Sequence, residues 1–249
     1  MSGQQDVASP GTVWGVGLGP GDPDLMSVRA DRLIRAARNV AFFRKAGHDG
    51  RARCIVEGML HPSVTEFRME YPVTTEIPFT DARYGAVLSA FYADCVAHLR
   101  ALSQTGEDVV VLCEGDPFFY GSFIHLHTRL AGIVPVRVVP AITGMSAAWT
   151  ATGMPITWGD DVLTVLCGTL PESELARRIA DSDALVVMKV GRNIAKIRQA
   201  LATTDRLDDA WLVECATMPG ERLMRLGDVR DCPAPYFSIV LVHGKGRRP

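Results

Sequence analysis

Two rhythms of apolar residues alternate along this chain: short unbroken runs, and longer stretches in which apolar side chains recur every three or four positions. Thr12-Val13-Trp14 is extended and apolar, and a glycine-rich loop follows it. From Ser27 to Ala37, Val28, Leu33, Ile34 and Ala37 recur at helical spacing with arginines on the other face, and Asn39 to Phe43 then reads as a short buried strand, completing a first strand-helix-strand unit. Residues 44–68 are irregular. Pro72 to Pro78 is extended, Asp81 stands where a helix would be capped, and a long helix running to about Leu102 turns Val87, Phe91, Val96 and Leu99 inward. The strand Asp108 to Cys113, a helix from Phe119 to Leu130, the strand Pro135 to Val139 and a small-residue helix Ala147 to Thr152 complete a first half.

A boundary is expected near Gly153-Met154-Pro155. Beyond it come the strand Val162 to Cys167, helix Pro171 to Ala180, strand Ala184 to Val190, helix Asn193 to Ala202 and strand Ala210 to Cys215. Two further strands, Arg222 to Leu226 and Tyr236 to Val242, follow with short links, which predicts a mixed sheet with a hairpin. The fold class is therefore α/β, with a tail over residues 1–11, an N-terminal α/β domain over 12–154 and a C-terminal α/β domain over 155–249.

The first loop, Gly15-Val16-Gly17-Leu18-Gly19-Pro20-Gly21-Asp22-Pro23-Asp24, has glycines at alternate positions, so a ligand can approach bare backbone, while two prolines stiffen the turn. It lies at the carboxyl end of a strand, where open sheets bind ligands. The dinucleotide spacing G-x-G-x-x-G fails in both registers, because the last position is Pro20 or Asp22. Asp22 and Asp24 also oppose a pyrophosphate at the helix start. No Gly-Lys-Ser/Thr follows, so a phosphate loop is excluded. An adenosine-like ligand with little negative charge remains, and S-adenosylmethionine fits that description. The alternative is a tight turn that binds nothing.

A second strand end, Glu114-Gly115-Asp116-Pro117-Phe118-Phe119-Tyr120-Gly121, repeats the Gly-Asp-Pro turn, and a third, Pro140 to Ser146, carries hydroxyl and glycine residues. Arg44, Lys45, Arg51 and Arg53 concentrate positive charge in the irregular segment; they are either a solvated surface or a clamp for a polycarboxylate.

The net charge of −2 and pI near 6.3 argue against a nucleic-acid partner, and no run approaches the roughly 20 apolar residues of a membrane span. The first eleven residues lack a signal peptide's apolar region. Six cysteines, Cys54, Cys95, Cys113, Cys167, Cys215 and Cys232, form no C-x-x-C pair, which points to a reduced, cytoplasmic chain without a metal site. His125 and His127 are two apart on a helix and point in different directions, so they make a poor metal pair, and His98 is read as structural or exposed.

Taken together, Gly15 to Asp24, Glu114 to Tyr120, Val138 to Met145, Leu185 to Asn193 and Val213 to Thr217 resemble, in order and spacing, the tetrapyrrole (corrin/porphyrin) methyltransferase family. The stretches Phe42 to Gly47, Ile55 to Met59, Met69 to Glu76 and Glu114 to Phe123 are similar to the branch that methylates precorrin-2 at its C(20) meso carbon, giving precorrin-3A, in aerobic cobalamin biosynthesis. The resemblance implies two α/β domains with S-adenosylmethionine in a cleft between them, S-adenosylhomocysteine as a product, a tetrapyrrole partner and a homodimer. It also implies cofactor contacts at Pro20, Gly115, Asp116, Tyr120, Gly121, Thr143, Gly144, Met188 and Ala216. The substrate's carboxylates would meet Arg44, Lys45, Arg51 and Arg53, with Lys189 and Arg192 next. Glu114 and Asp116 are catalytic candidates by position only. One departure stands out: the third motif usually reads Pro-Gly, and here it is Pro140-Ala141, which costs about 1 kcal/mol if that position needs a left-handed backbone. Other readings are the cobalt-containing analogue as substrate, a ribosomal-RNA or protein methyltransferase, a non-catalytic S-adenosylmethionine-binding regulator, and a dehydrogenase.

Overall fold

The computed structural model describes residues 9–72, 82–229 and 233–246. It divides the chain into two compact units, Met1–Ile142 and Thr143–Pro249.

The first unit contains β1 (Val13–Gly17), α1 (Val28–Ala36), β2 (Asn39–Lys45), α2 (Arg51–Ile55), β3 (Thr65–Tyr71), α3 (Ala82–Gln104), β4 (Val109–Cys113), α4 (Phe123–Leu130) and β5 (Val136–Val139). All the strands are parallel, in the order β3-β2-β4-β1-β5. Helices cover both faces, which explains why β4 is buried at every residue and reads as an unbroken apolar run. On one face α1 and α2 bury Ala30, Ile34, Ala52 and Val56 against Val16, Val40, Val110 and Leu112. On the other, α3 and α4 bury Tyr92, Cys95, Leu99, Phe123, Leu126 and Leu130 against Val13, Ala41, Val109 and Val111.

The predicted α1 is present, capped by Ser27, whose hydroxyl accepts from the Ala30 N–H at 3.1 Å. Of the expected inward residues, Ile34 and Ala37 are buried and Leu33 packs against them, whereas Val28, in the first turn, is 65% exposed and Ala30 joins the contact instead. The segment read as irregular contains α2 and the first half of β3, a strand whose Phe67, Met69 and Tyr71 pack against the core. Asp81 and residues 73–78 of the extended stretch lie outside the described residues, as do residues 1–8 and Cys232. Gly11 is anchored: its N–H donates to the Ser103 carbonyl at 2.8 Å, and the Ser103 hydroxyl donates to its carbonyl at 2.5 Å.

The second unit contains α5 (Gly144–Ala151), β6 (Leu163–Cys167), α6 (Glu172–Ala180), β7 (Ala184–Met188), α7 (Ile194–Thr203), β8 (Ala210–Glu214), β9 (Arg222–Arg225) and β10 (Ser238–Val242). Its sheet is mixed, in the order β6-β7-β10-β8-β9. The hairpin among these strands is β8–β9, whereas the last two strands do not pair, because β10 inserts antiparallel between β7 and β8. One face packs on α6 and α7 through Leu175, Ile179, Ile197 and Leu201, the other on α5 through Ala148. Because Ala148 is buried with Val186, Val213 and Leu241, α5 belongs to this second sheet, and the division falls before it at Ile142 rather than near Met154.

Candidate functional site

In the first unit β1 and β4 are neighbours, but the helices that follow them pack on opposite faces. Open parallel sheets hold ligands at the carboxyl ends of strands where the following helices switch faces in this way. Three loops meet there. The Leu18 N–H donates to the Cys113 carbonyl and the Gly115 N–H to the Gly19 carbonyl, each at 2.9 Å, tying the first loop to the second. Asp116 ties the second to the third: its Oδ1 accepts from the Phe118 N–H and its Oδ2 from the Ala141 N–H, both at 2.9 Å. A Cβ on Gly17 would lie 2.6 Å from the Ala141 methyl, 2.8 Å from the Gly115 carbonyl and 2.9 Å from Pro117.

The alternating glycines thus have causes that differ from the bare ribbon expected for a ligand. Gly15 is required by Phe123 of α4, 2.3 Å from where its Cβ would sit, and Gly17 by the neighbouring loops. Pro20 is buried at the loop's base. Gly115 is left-handed (φ +63°), with open space where a side chain would go. Ala141 is not among the left-handed residues, so the departure from Pro-Gly carries no backbone strain; its methyl occupies the space that Gly17 leaves.

The titratable candidates are largely engaged. Glu114 accepts from the Ala52 N–H beside Arg51; burial nevertheless lifts its carboxyl above the ordinary range. Both Asp116 oxygens are taken by backbone donors, which makes this carboxylate a strut. Burial also pushes the Cys113 thiol up, reinforced by Glu114 and Asp116, so it is no nucleophile. In the expected clamp, Arg44 donates to Glu70 from Nε at 2.9 Å and Nη2 at 2.7 Å, and Arg53 donates to Glu66 at 2.8 Å. Those two arginines, and Arg51 beside Glu114, face protein carboxylates. Lys45 is exposed at the carboxyl end of β2. Tyr120 (φ +55°) and Gly121 close the second loop ahead of α4, with the Tyr120 ring 45% exposed and set edge-on against Phe119.

In the second unit, Thr143 stands at the cap position of α5 without a capping side-chain hydrogen bond, its hydroxyl 3.1 Å from that of Ser146, and a Cβ on Gly144, which opens the helix, would lie 3.5 Å from Ile239. Met188 ends β7 and Ala216 follows β8; both join Met145 and Ile239 in one partly buried apolar group. Strands β7 and β8 run parallel to each other on either side of β10, so Met188, Lys189, Cys215 and Ala216 share one sheet edge. At this edge Lys189 (φ +57°), Cys215 (φ +51°) and Thr217 (φ +67°) are all left-handed. Such strain in residues other than glycine persists where surrounding structure enforces it, characteristically at ligand sites. Lys189 and Arg192 are exposed beyond β7.

Sequence reasoning named Lys189 for its charge alone and missed Cys215 and Thr217 as strained residues of this edge, for which no composition signal exists. It also missed Tyr71 and Ser122, whose hydroxyls meet beside the second loop. The alternation Glu66-Phe67-Arg68-Met69-Glu70-Tyr71 was the available sign of β3. The rings of His125 and His127 lie 4.7 Å from Tyr92 and 4.8 Å from Phe118, respectively, and the described residues hold no group of three or more His, Cys, Asp or Glu placed to hold a metal ion.

Comparison with known proteins adds an independent line. The chain is 49% identical over 239 residues to precorrin-2 C(20)-methyltransferase of Sinorhizobium sp, covering 96% of this chain and 98% of that one. It is 31% identical to cobalt-precorrin-2 C(20)-methyltransferase of Salmonella typhimurium, covering 94% and 96%. Among solved structures, uroporphyrin III C-methyltransferase of Thermus thermophilus superposes with a TM-score of 0.66 at 25% identity, covering 94% and 97%. Another structure of that enzyme is complexed with S-adenosylhomocysteine, with a TM-score of 0.65 at 24% identity and 94% and 92% coverage. The family profile described as tetrapyrrole (corrin/porphyrin) methylases matches residues 12–230, and the chain belongs to that family.

Proposed function

We propose that this chain is an S-adenosylmethionine-dependent methyltransferase that methylates precorrin-2 at its C(20) meso carbon in cobalamin biosynthesis. The observation that carries the reading is the 49% identity to precorrin-2 C(20)-methyltransferase, which extends over 96% of this chain. The residues present fit the cofactor. Gly115 has open space where a Cβ would stand, and the group of Met145, Met188 and Ala216 offers an apolar surface of the kind an adenosine body needs. We assign cofactor contacts to Pro20, Gly115, Asp116, Tyr120 and Gly121 in the first unit and to Thr143, Gly144, Met188 and Ala216 in the second. Asp116 acts through the backbone it holds.

When bound, S-adenosylmethionine supplies an electrophilic methyl group on a sulfonium. The chain's part is to fix that ligand and the macrocycle in line at near-attack distance, an effect that can supply roughly 7–11 kcal/mol. Glu114, turned into α2, and Asp116, with both oxygens occupied, are available for bracing and not for proton abstraction. Arg44, Lys45, Arg51 and Arg53 meet substrate carboxylates, with Glu70 and Glu66 holding Arg44 and Arg53 in place beforehand. Lys189 and Arg192 add charge in the second unit. The protein acts in the cytoplasm as a homodimer and binds neither nucleic acid nor membrane. Among its described residues no helix is long and apolar enough to cross a bilayer.

Metal-free precorrin-2 is favoured over the cobalt-containing analogue by the identities of 49% and 31% to the two relatives. The test is anaerobic incubation with methyl-labelled S-adenosylmethionine and each tetrapyrrole, followed by mass and carbon NMR analysis. One labelled methyl at C(20) of the metal-free macrocycle is the expected product. Transfer only to the cobalt-containing substrate would move the enzyme to the anaerobic route, and S-adenosylmethionine binding without transfer to either would make it a regulator.

A further inference from the structure

The loop from Glu114 to Ser122 is braced at its near end by Asp116, through the N–H groups of Ala141 and Phe118. Its far end has a different tie. Ser122 occupies the cap position of α4, yet its hydroxyl makes no capping hydrogen bond. It accepts instead from the Tyr71 hydroxyl, at the last residue of β3. The Tyr92 hydroxyl, from a residue of α3 that is 5% exposed, lies 3.4 Å from that of Tyr71. Burial raises the Tyr92 phenol, and hydrogen bonds with Tyr71 and Ser122 partly reverse this, so the three hydroxyls form one cluster. The Tyr71 ring is itself fixed, stacked on Phe43 at 5.4 Å and 18° and tilted against Phe91 at 4.9 Å. Tyr120, left-handed at φ +55°, stands between the two braces.

A strained residue relaxes unless its surroundings over-determine it, and here a carboxylate holds one side and a hydroxyl the other. We propose that Tyr71, acting through Ser122, is a positioning residue that holds Tyr120 and Gly121 in their ligand-binding conformation, with Tyr92 as the buried support of its hydroxyl. The inference rests on reading this loop as part of the cofactor site. It extends that site to the edge strand β3, from which sequence reasoning drew no cofactor contact.

Equilibrium binding of S-adenosylhomocysteine to the full chain tests it, with melting temperature as the fold control. Tyr71→Phe keeps the stacked ring and loses only the hydroxyl. Tyr71→Phe and Ser122→Ala should each weaken binding roughly five-fold, the effect of one hydrogen bond. The double variant should be no weaker than either single, because both remove the same contact. Ser122→Thr should restore binding, and the KM for precorrin-2 should stay at the wild-type value while that for S-adenosylmethionine rises. Multiplying effects in the double variant, or a lowered melting temperature with unchanged affinity, would overturn the proposal. A wild-type chain that binds no S-adenosylhomocysteine would sink the cofactor-site reading and this inference together, whereas wild-type binding with unmoved variants removes only the inference.

Discussion

The two units reach unusual backbone conformations at their candidate ligand edges by opposite means. In the first, Gly19, Gly21 and Gly115 take positive φ, with Tyr120 the one residue there that does so with a side chain, and hydrogen bonds between Gly19, Gly115, Asp116 and Ala141 lock the loops together. In the second, Lys189, Cys215 and Thr217 take it without glycine. A glycine loop reaches these angles at no steric cost but loses entropy on folding, so it needs bracing. A left-handed residue with a side chain costs roughly 1–2 kcal/mol in place, and the strand end before it must enforce it. Cys215 illustrates the second strategy: its N–H donates to the Phe237 carbonyl at 2.7 Å, extending the β8–β10 pairing one residue into the strained turn. The first edge is made mainly by composition, Tyr120 apart, and the second mainly by tertiary restraint, Gly191 beside Lys189 apart.

The sharpest way to break this contrast is to fill the first edge. Gly17→Ala would drive a methyl into the Ala141 methyl, the Gly115 carbonyl and Pro117, and overpacking of this kind costs about 1–3 kcal/mol. The variant should melt several degrees lower and bind S-adenosylhomocysteine more than about ten-fold weaker, since 1.4 kcal/mol is a factor of ten. Ala141→Gly should recover part of both losses in the double variant, because it removes the 2.6 Å contact and leaves the 2.8 Å contact with the Gly115 carbonyl. Calorimetry on the four proteins decides it; full additivity of the two changes would show that the loops do not interlock.

The same contrast predicts opposite signs for two exchanges. Gly115→Ala puts a side chain on a backbone at φ +63° with open space around it, so strain alone should lower stability by about 1 kcal/mol. Cys215→Gly releases strain at φ +51° and should raise stability by up to about 1 kcal/mol, offset in part by unfolded-chain entropy. If the strain shapes the site, the stabilised Cys215→Gly variant should also turn over more slowly, the usual trade between stability and activity. Urea denaturation and a methyl-transfer assay suffice. A stabilised variant with full turnover would leave the second edge as fold geometry only.

This asymmetry also governs what could be read from residue types. The glycine-proline loop Gly15–Asp24, the Glu114–Gly121 turn and nearly every strand announce themselves through punctuation and apolar runs. The edge strand β3 did not, because its Glu66 and Glu70 pair with the arginines of a segment that reads as a charged loop. Lys189, Cys215 and Thr217 were illegible as strained positions, since no residue type marks a conformation imposed by neighbours. Nor could composition reveal that Arg44 and Arg53 already face carboxylates, or that α5 packs on the second sheet, because those facts are long-range contacts.

The smallest expected effects lie in the pH dependence of stability, and they too divide by unit. In the first, burial raises the Glu114 carboxyl above its ordinary 4.5. The unfolded chain then releases this proton at lower pH than the folded one, so stability is highest below 4.5 and falls as pH rises through the window from 4.5 up to the folded value. In the second, His243 lies 2.9 Å from the Pro155 carbonyl through Nδ1 and 3.1 Å from the Thr152 hydroxyl through Nε2, and burial, aided by Arg225, lowers it below 6.5 despite the Pro155 bond. Here the unfolded chain takes up the proton first on acidification, so stability is complete above 6.5 and falls as pH drops from 6.5 toward the folded value. Each slope is at most about 1.4 kcal/mol per pH unit, because one proton is involved. Urea midpoints between pH 4 and 8 should therefore fall less steeply on acidification below 6.5 in His243→Gln than in the wild type. Glu114→Gln should flatten the loss of stability on raising pH from 4.5. A His243→Gln profile that parallels the wild type would show that this histidine keeps its ordinary affinity for protons and does not distinguish the second unit.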